Sequence, residues 1–507
     1  MKQKMNKAVK TVGFMFIMIL LAKVLGQARE MFVAAVFGVG SLTDAYYAAS
    51  TLPLNLFDIV FASSISSAFI PVYNTYIEKY GNEEGNRFAS GFVNTILLLS
   101  VVLCVLLIVF SKQLVGVLAG GLDEKTAELA SSLTKIMMPI IVFASLTFSF
   151  TGILQSKGEF NIPAIISIVS NAVVIIYMIF LSDKFGIYGL SLSLTIGWIL
   201  QFLVQLPSAK KVGFSYKRVL YHKGLKDVVK LALPVLVGTW IQPISNLINN
   251  AYASSIDNGI SALNYASKLF LIVASVFTVS VTNYVFPLLS KQSATEDNKN
   301  YKKTLYNSFK IILIVLVPIC VFMLALSTPI IELVYKRGQF DDNAVRLTAG
   351  AFYYYCFGII FYGVLDLFNK AFYALKNSVV PAVIAGSAII LNGVLSYFLK
   401  NLMGIFGLAL SSTLVYFYMA LMLFISLNKR IKFFEMKNML FILKELLYGA
   451  VTFFVTVNCY KLLSALDSNL ILKITRMGLS ALSGLVVYLI LIVLFEKKTL
   501  KEMTKGA

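Results

Sequence analysis

Residues 161–195 read NIPAIISIVSNAVVIIYMIFLSDKFGIYGLSLSLT. No charge occurs from Asn161 to Ser182. Asp183 and Lys184 break the run, and a second uncharged run extends from Phe185 to Ala209. About 20 mostly apolar residues cross a bilayer core as a helix, so the stretch reads as two membrane spans joined by a short polar turn. The pattern returns at an offset of 218 residues. Pro163-Ala164 matches Pro381-Ala382, Gly186-Ile187-Tyr188-Gly189-Leu190 matches Gly404-Ile405-Phe406-Gly407-Leu408, and Ser193 and Thr195 match Ser411 and Thr413. A second pair of segments shares an ending, Phe69-Ile70-Pro71-Val72 and Val285-Phe286-Pro287-Leu288. Such internal duplication is typical of secondary transporters.

The whole chain fits this reading. Its 507 residues are 58% hydrophobic and 13% charged, with mean hydropathy +0.82. Soluble domains run at roughly 45–50% apolar and about 25% charged. A soluble fold, a disordered chain, a coiled coil and a collagen-like chain are excluded. The chain is expected to be an all-α polytopic membrane protein with about fourteen transmembrane helices. These fall near 11–37, 42–76, 89–117, 127–154, 161–181, 187–208, 227–253, 260–289, 304–334, 345–374, 379–399, 405–427, 445–465 and 475–496. Six spans separate the two copies of the repeat, so the copies run in the same direction. The expectation is two pseudo-symmetric six-helix lobes, 1–208 and 227–427. A basic linker, 209–226, joins them, and 428–507 adds two C-terminal helices and a tail.

The formal net charge is +20. With the N-terminus inside, 28 of the 44 Lys and Arg residues fall in segments on the cytoplasmic side and 8 outside. The positive-inside rule then places both termini in the cytoplasm. The basic excess also suits anionic lipid headgroups, and the basic loops lack the stacking aromatics of a nucleic-acid surface. The N-terminal lysines and the following apolar run read as an uncleaved first span, because Lys23 interrupts the run before Gly26-Gln27-Ala28. His222 is the only histidine, and Cys104, Cys320, Cys356 and Cys459 lie in apolar runs without paired spacing. No metal cluster and no cofactor site is expected, and no nucleotide-binding glycine loop is present. The cysteines read as small buried hydrophobes.

Ionisable groups inside spans are costly and usually face a cavity or a partner. Lys23, Arg29 and Glu30 lie on the first span, Asp58 on the second and Lys268 on the eighth. They suggest a cationic site near the midplane for an anionic substrate, with phosphate or diphosphate well suited to an arginine fork. Asp58 is a candidate ion partner of Lys23 or Lys268. Asp366 and Lys370, spaced i, i+4, read as a structural helical pair.

Several stretches occur in a telling order: Gly26-Gln27-Ala28-Arg29-Glu30, Phe37-Gly38-Val39-Gly40, Thr43-Asp44-Ala45, Leu52-Pro53 and Ala68-Phe69-Ile70-Pro71. Further on come Ser261-Ala262-Leu263-Asn264-Tyr265-Ala266 with Lys268-Leu269, Tyr335-Lys336-Arg337-Gly338-Gln339-Phe340, and Ala371-Phe372-Tyr373-Ala374 with Pro381. Together these resemble the MurJ/MviN family of bacterial lipid II flippases, within the multidrug/oligosaccharidyl-lipid/polysaccharide exporter superfamily. The resemblance implies a multi-pass protein of the bacterial plasma membrane that serves peptidoglycan biosynthesis and cell shape. It would carry undecaprenyl-diphosphate-linked disaccharide-pentapeptide outward, with the two C-terminal spans forming a groove for the lipid tail. It assigns Arg29, Glu30 and Asp44 to substrate binding by motif, and places Lys23 and Lys268 where arginine is usual. Phe57 and Asp58 stand where the family has a span-two arginine, and Leu271 where it has a span-eight carboxylate. The acids of a sodium site in some members correspond to Asn249 and Ser396, beside Asn392 and Thr413. These four are the candidate ion-binding residues, and they lack a carboxylate.

The expected mechanism is alternating access driven by membrane potential, without bond chemistry, so the chain is not expected to be an enzyme. The expected partners are the lipid-linked precursor, membrane lipids and cell-wall synthesis proteins. The alternatives are a flippase for another polyprenyl-diphosphate oligosaccharide of the O-antigen or capsule type, a multidrug antiporter, and a non-transporting envelope scaffold.

Overall fold

Lipid offers no water to backbone N–H and C=O groups, so each apolar run closes its hydrogen bonds within itself as a helix. The computed structural model describes residues 2–62, 68–465 and 469–496. Among these residues no strand occurs. Residues 63–67 of the expected second span, and the expected tail from 497, lie outside the described residues.

The helices run in order α1 (Lys2–Phe37), α2 (Ser41–Phe57), α3 (Ile70–Val109), α4 (Ser111–Leu118), α5 (Glu124–Met137), α6 (Ile140–Ser156), α7 (Asn161–Phe180), α8 (Ser182–Leu203), α9 (Leu206–Lys211), α10 (Leu225–Thr239) and α11 (Ile241–Ala253). They continue as α12 (Gly259–Ala294), α13 (Asn298–Ala325), α14 (Ser327–Tyr335), α15 (Asp342–Cys356), α16 (Gly358–Ala374), α17 (Val379–Met403), α18 (Ile405–Ile431), α19 (Met439–Leu462) and α20 (Leu470–Phe495).

Ten of the described helical stretches are long and apolar enough to cross a membrane, or eleven with α15 and α16 counted as one span bent by 43°. The three other expected spans fall on α1, on α2 with the turn after it, and on α10–α11. These are helical but carry charged or amide residues along their length. The architecture is compatible with fourteen spans. Large apolar side chains face outward; Phe180 and Ile390 are each 72% exposed, which suits lipid and not water. The expected cytoplasmic loop over 77–88 is instead helical. α3 passes through it with a break at Gly81, where φ is 83°.

The chain divides into two compact units, Met1–Ser261 with Arg337–Asp341, and Ala262–Lys336 with Asp342–Ala507. In the first, α1 packs on α7, α7 on α8, α2 on α5 and α3 on α6. In the second, α18 packs against α15, α16 and α17. The repeat is visible inside each unit. Gly186 (φ 51°, ψ −141°) and Gly404 (φ 59°, ψ −133°) adopt the same left-handed backbone where one helix gives way to the next. Glycine alone reaches such angles without steric cost. Thr195 donates to the Ile136 carbonyl at 3.0 Å, and Thr413 donates to the Tyr354 carbonyl at 2.8 Å. Both donor and acceptor are displaced by the same 218 residues.

The basic linker is a strap laid along α3. Asn86 Nδ2 donates to the Gly213 carbonyl at 3.1 Å, the Lys217 N–H to Ser90 at 2.9 Å, and Asn94 Nδ2 to the Val219 carbonyl at 2.8 Å. His222 ends the strap. Its Nδ1 accepts from the Gly224 N–H at 3.1 Å, which leaves Nε2 as the donor toward Glu84, 3.0 Å away. The ring stands edge-on to Tyr76 and Phe88, so the only histidine serves packing. Cys104, Cys320 and Cys356 are buried and free, and Cys459 is partly exposed.

The last two helices join the second unit through α13. Val317 of α13 packs with Tyr448, Tyr488 and Ile492. The Tyr488 hydroxyl lies 2.6 Å from Glu445 Oε2 and 3.0 Å from the Ile314 carbonyl, so one group ties three helices together. Replacing Tyr488 by Phe keeps the ring and strands a buried carboxylate oxygen. The expected loss is about 1–3 kcal/mol, read as a lower thermal unfolding midpoint of the purified protein. An unchanged midpoint would contradict the role.

Candidate functional site

In the first unit, α7 fixes the helix that carries the charged residues. Asn171 Nδ2 donates to the Ala22 carbonyl of α1 at 3.3 Å, beside half-buried Lys23. Two turns on, Arg29 Nη2 donates to Glu30 Oε1 at 2.6 Å, and the Tyr47 hydroxyl of α2 donates to Glu30 Oε2 at 2.7 Å. Glu30 is 4% exposed, whereas the Arg29 side chain is 23% exposed. A buried carboxylate is therefore bonded at both oxygens, and it holds a more accessible guanidinium. Arginine has five N–H donors in a planar fork, so Arg29 keeps capacity for an anion beyond its bond to Glu30.

Asp44 lies in the first turn of α2, is 4% exposed, and accepts the Ser261 backbone N–H at 2.7 Å. That donor belongs to the first turn of α12, where N–H groups lack helical partners. Asp58 is exposed at the start of the π-helical turn Asp58–Ala62 that follows α2. Phe57 beside it is buried and stacks on Phe148, with ring centroids 5.2 Å apart. Two sequence motifs far apart in the chain meet here. Gly38 (φ 62°) lies against the Gln339 backbone and Gly338 (φ 54°) against the Ala35 carbonyl, and the Gln339 N–H donates to Ala35 at 2.8 Å. A side chain on either glycine would occupy the backbone of the facing segment.

Of the candidate ion ligands, Asn249 belongs to the first unit. It is buried next to Asn250, whose Nδ2 donates to Thr51 at 3.0 Å. The other three lie in the second unit. Ser396 and Ser411 are 2.9 Å apart, and Ser411 lies 3.2 Å from Asn392 Oδ1. Asn392 and Ser396 are thus brought together, with Ser411 as a third member, while Thr413 bonds the Tyr354 carbonyl instead. Among the described residues no group of three or more His, Cys, Asp or Glu could hold a metal ion.

Also in the second unit, Lys268 is half-buried, one turn beyond buried Tyr265. The Tyr335 hydroxyl donates to the Tyr265 carbonyl at 3.4 Å, and the two rings lie 5.1 Å apart. Lys370 Nζ lies 3.2 Å from Asp366 Oδ2, which also accepts from Thr282 at 2.7 Å. The expected helical pair forms, bracing α16 against α12.

Sequence reasoning passed over Tyr47 and Lys310. Tyr47 carries no charge to mark it; its role arises only where α2 meets α1. Lys310 is 4% exposed, with Nζ 4.7 Å from the centre of the Tyr306 ring. Its signal was a lysine within an apolar run.

Comparisons with known proteins bear on this arrangement. The family model for lipid II flippase MurJ matches residues 33–477. The lipid II flippase MurJ of Burkholderia cenocepacia is 29% identical over 422 residues, covering 81% of this chain and 82% of that protein. A solved structure described as lipid II flippase MurJ in an inward closed conformation superposes with a TM-score of 0.82 at 28% identity, over 96% of this chain and 99% of that one. An inward-facing multidrug resistance MATE family transporter of the MOP superfamily shares the fold, with a TM-score of 0.70 at 13% identity over 81% of this chain and 94% of its own.

Asp44→Ala leaves the buried Ser261 N–H without its acceptor. The expected cost is about 1–3 kcal/mol, seen as a lower thermal midpoint. Asp44→Asn, whose amide oxygen still accepts, should recover most of it. Equal midpoints for Ala and wild type would contradict the capping role.

Proposed function

The chain belongs to the lipid II flippase MurJ family, and on that premise we propose that it moves lipid II from the inner to the outer leaflet of the bacterial plasma membrane by alternating access. The substrate is the undecaprenyl-diphosphate-linked peptidoglycan precursor. It changes sides without any bond being made or broken, so the protein is a transporter and not an enzyme. Both termini lie in the cytoplasm, in keeping with the cation distribution.

The observation that carries the reading is the Arg29–Glu30–Tyr47 arrangement. A guanidinium held by a buried acid, at the depth of a membrane span, has its orientation set before the substrate arrives. Diphosphate oxygens accept a planar pair of N–H groups well. Lys23 in the first unit and Lys268 in the second add positive charge to the transport cycle, as point charges without a fork. Asp44 supports the cycle through the α12 turn it caps.

The membrane potential supplies the drive. An inside-negative potential favours outward movement of the anionic headgroup and inward return of unoccupied cationic groups. One charge moved across 100 mV is worth about 2.3 kcal/mol. No cofactor is required, and the neutral Asn392–Ser396–Ser411 network is assigned no sodium in this mechanism.

A second reading keeps the mechanism and changes the glycan, to an O-antigen or capsule unit on the same lipid carrier. It is favoured by the packed Phe57 and exposed Asp58 where the family pattern has an arginine.

The test is outer-leaflet exposure of lipid II in bacterial cells depleted of their own flippase and expressing this chain. Wild type should restore exposure, Arg29→Ala and Lys268→Ala should lose it at matched membrane levels, and collapse of the potential should slow it in wild type. No rescue by a correctly inserted wild-type chain would transfer the assignment to another lipid-linked glycan. Full rescue by both variants would remove the cationic residues from the mechanism, and undiminished exposure at zero potential would remove the proposed drive.

A further inference from the structure

Where α13, α19 and α20 meet in the second unit, one hydroxyl hydrogen faces two acceptors. Tyr488 Oη of α20 lies 2.6 Å from Glu445 Oε2 of α19 and 3.0 Å from the Ile314 carbonyl oxygen of α13. A phenol has a single O–H to donate. The sequence of α13 says where that hydrogen is needed. In an α-helix the N–H of each residue bonds the carbonyl four residues earlier. Four residues after Ile314 stands Pro318, inside α13, and proline has no N–H. The Ile314 carbonyl is thereby left without its helical donor, next to buried Val317 and in a span where no water replaces it. Tyr488 is the donor that reaches it.

Glu445 lacks what a charged carboxylate needs. It is 1% exposed, and its Oε1 is buried with no hydrogen-bond partner among the described residues. Among those residues no cation pairs with it either. The neighbouring charges are engaged elsewhere. Lys444 Nζ lies 3.0 Å from Glu496 Oε1, and Lys310, one turn before Ile314 on α13, holds its Nζ over the Tyr306 ring. Tyr488 itself belongs to an apolar cluster with Val317, Tyr448 and Ile492. Glu30 in the first unit has a donor at each oxygen. Glu445 has none at Oε1 and, at Oε2, a hydroxyl whose hydrogen is required by Ile314. A buried acid in that position takes up a proton in preference to carrying an uncompensated charge.

We propose that Glu445 is a proton-binding residue, held as a neutral carboxylic acid. Its Oε2–H donates to Tyr488 Oη, and the Tyr488 O–H donates to the Ile314 carbonyl. One chain of hydrogen bonds then runs from α19 through α20 to α13 beside its proline. Oε1 becomes the carbonyl oxygen of the acid, which costs less to leave unbonded than a charged oxygen does. Without the proton, Glu445 and Ile314 compete for a single hydrogen, so the bound proton is part of the joint that fastens the two C-terminal helices to α13. The site is separate from Arg29 and Lys268 and does not rest on the flippase reading.

The full-length purified chain, in a detergent without ester carbonyls, is read by infrared spectroscopy at neutral pH. Subtracting the Glu445→Gln spectrum from that of wild type should leave the C=O stretch of one carboxylic acid. Carboxylate bands in its place would overturn the proposal. Tyr488→Phe removes the acceptor of the acid's O–H, so the same stretch should persist there and move to higher wavenumber. A carboxylic acid stretch found in Tyr488→Phe and missing from wild type would mean an ionised Glu445 and would overturn it too. That comparison decides alone if Glu445→Gln does not fold. The part played by the proline is read from thermal midpoints. Pro318→Ala returns an N–H to the Ile314 carbonyl, so Tyr488→Phe should lower the midpoint less in that background than in wild type. Equal losses in the two backgrounds would show that Ile314 does not hold the Tyr488 hydrogen, and the argument for a proton on Glu445 would fall with it.

Discussion

A carboxylate buried at membrane depth has to be met by hydrogen-bond donors or it cannot stay charged. Glu30 is that carboxylate, and much of the first unit is arranged around its needs. Arg29 supplies one donor from the same helix and Tyr47 supplies the other from α2. For Tyr47 to arrive, α2 must lie close to α1. The sharp turn at Gly38–Gly40 and the contact of Gly338 with Ala35 shape that end of α1. At the other end of the charged stretch, Asn171 grips the Ala22 carbonyl. Removing Glu30 would free the guanidinium to adopt many rotamers, so in the proposed function the acid acts through the arginine it orients.

The polar groups in the spans sort by what they touch. Asp44, Thr195 and Thr413 are bonded to backbone and Asn250 to Thr51, each within its own unit, and they work as glue. Such bonds matter more in lipid because a span has no solvent to fall back on, although measured values for individual bonds stay near 1 kcal/mol. Arg29 differs, because its partner occupies one donor of a fork and leaves the rest. Lys268 shares the character of a half-buried cation, in a helix whose neighbouring turn is stiffened by the Tyr265–Tyr335 pair.

The helical class and the duplication were legible in the residues, and for a physical reason. Hydrocarbon imposes length and apolarity on each span, and the glycines of the repeat, Gly186 and Gly404, mark a backbone shape that other residues avoid. Arg29 and Glu30 were legible because a charge in a span is costly and seldom incidental, whereas Asp44 was marked only by the family resemblance. What escaped was tertiary. Tyr47 is one aromatic among 26 tyrosines, and nothing local distinguishes it from a packing residue. The meeting of Gly38 with Gln339, and of Gly338 with Ala35, joins segments some 300 residues apart. The strap over α3 looked like a loop, because hydrogen bonds from Asn86 and Asn94 to a distant backbone leave no periodic trace. The Asn392–Ser396–Ser411 cluster was half seen: Ser411 appeared as a repeat residue and its bond to Ser396 did not.

In the proposed function Arg29, held by Glu30, recognises the diphosphate of the lipid carrier. The direct measurement is the affinity of purified protein for lipid II and for an analogue in which an uncharged linker replaces the diphosphate. Wild type and Arg29→Ala are compared in the same lipid environment. Arg29→Ala is expected to weaken lipid II binding by at least about tenfold, the worth of one charged hydrogen bond, and to leave binding of the uncharged analogue unchanged. Equal weakening for both ligands, or none for either, would contradict it.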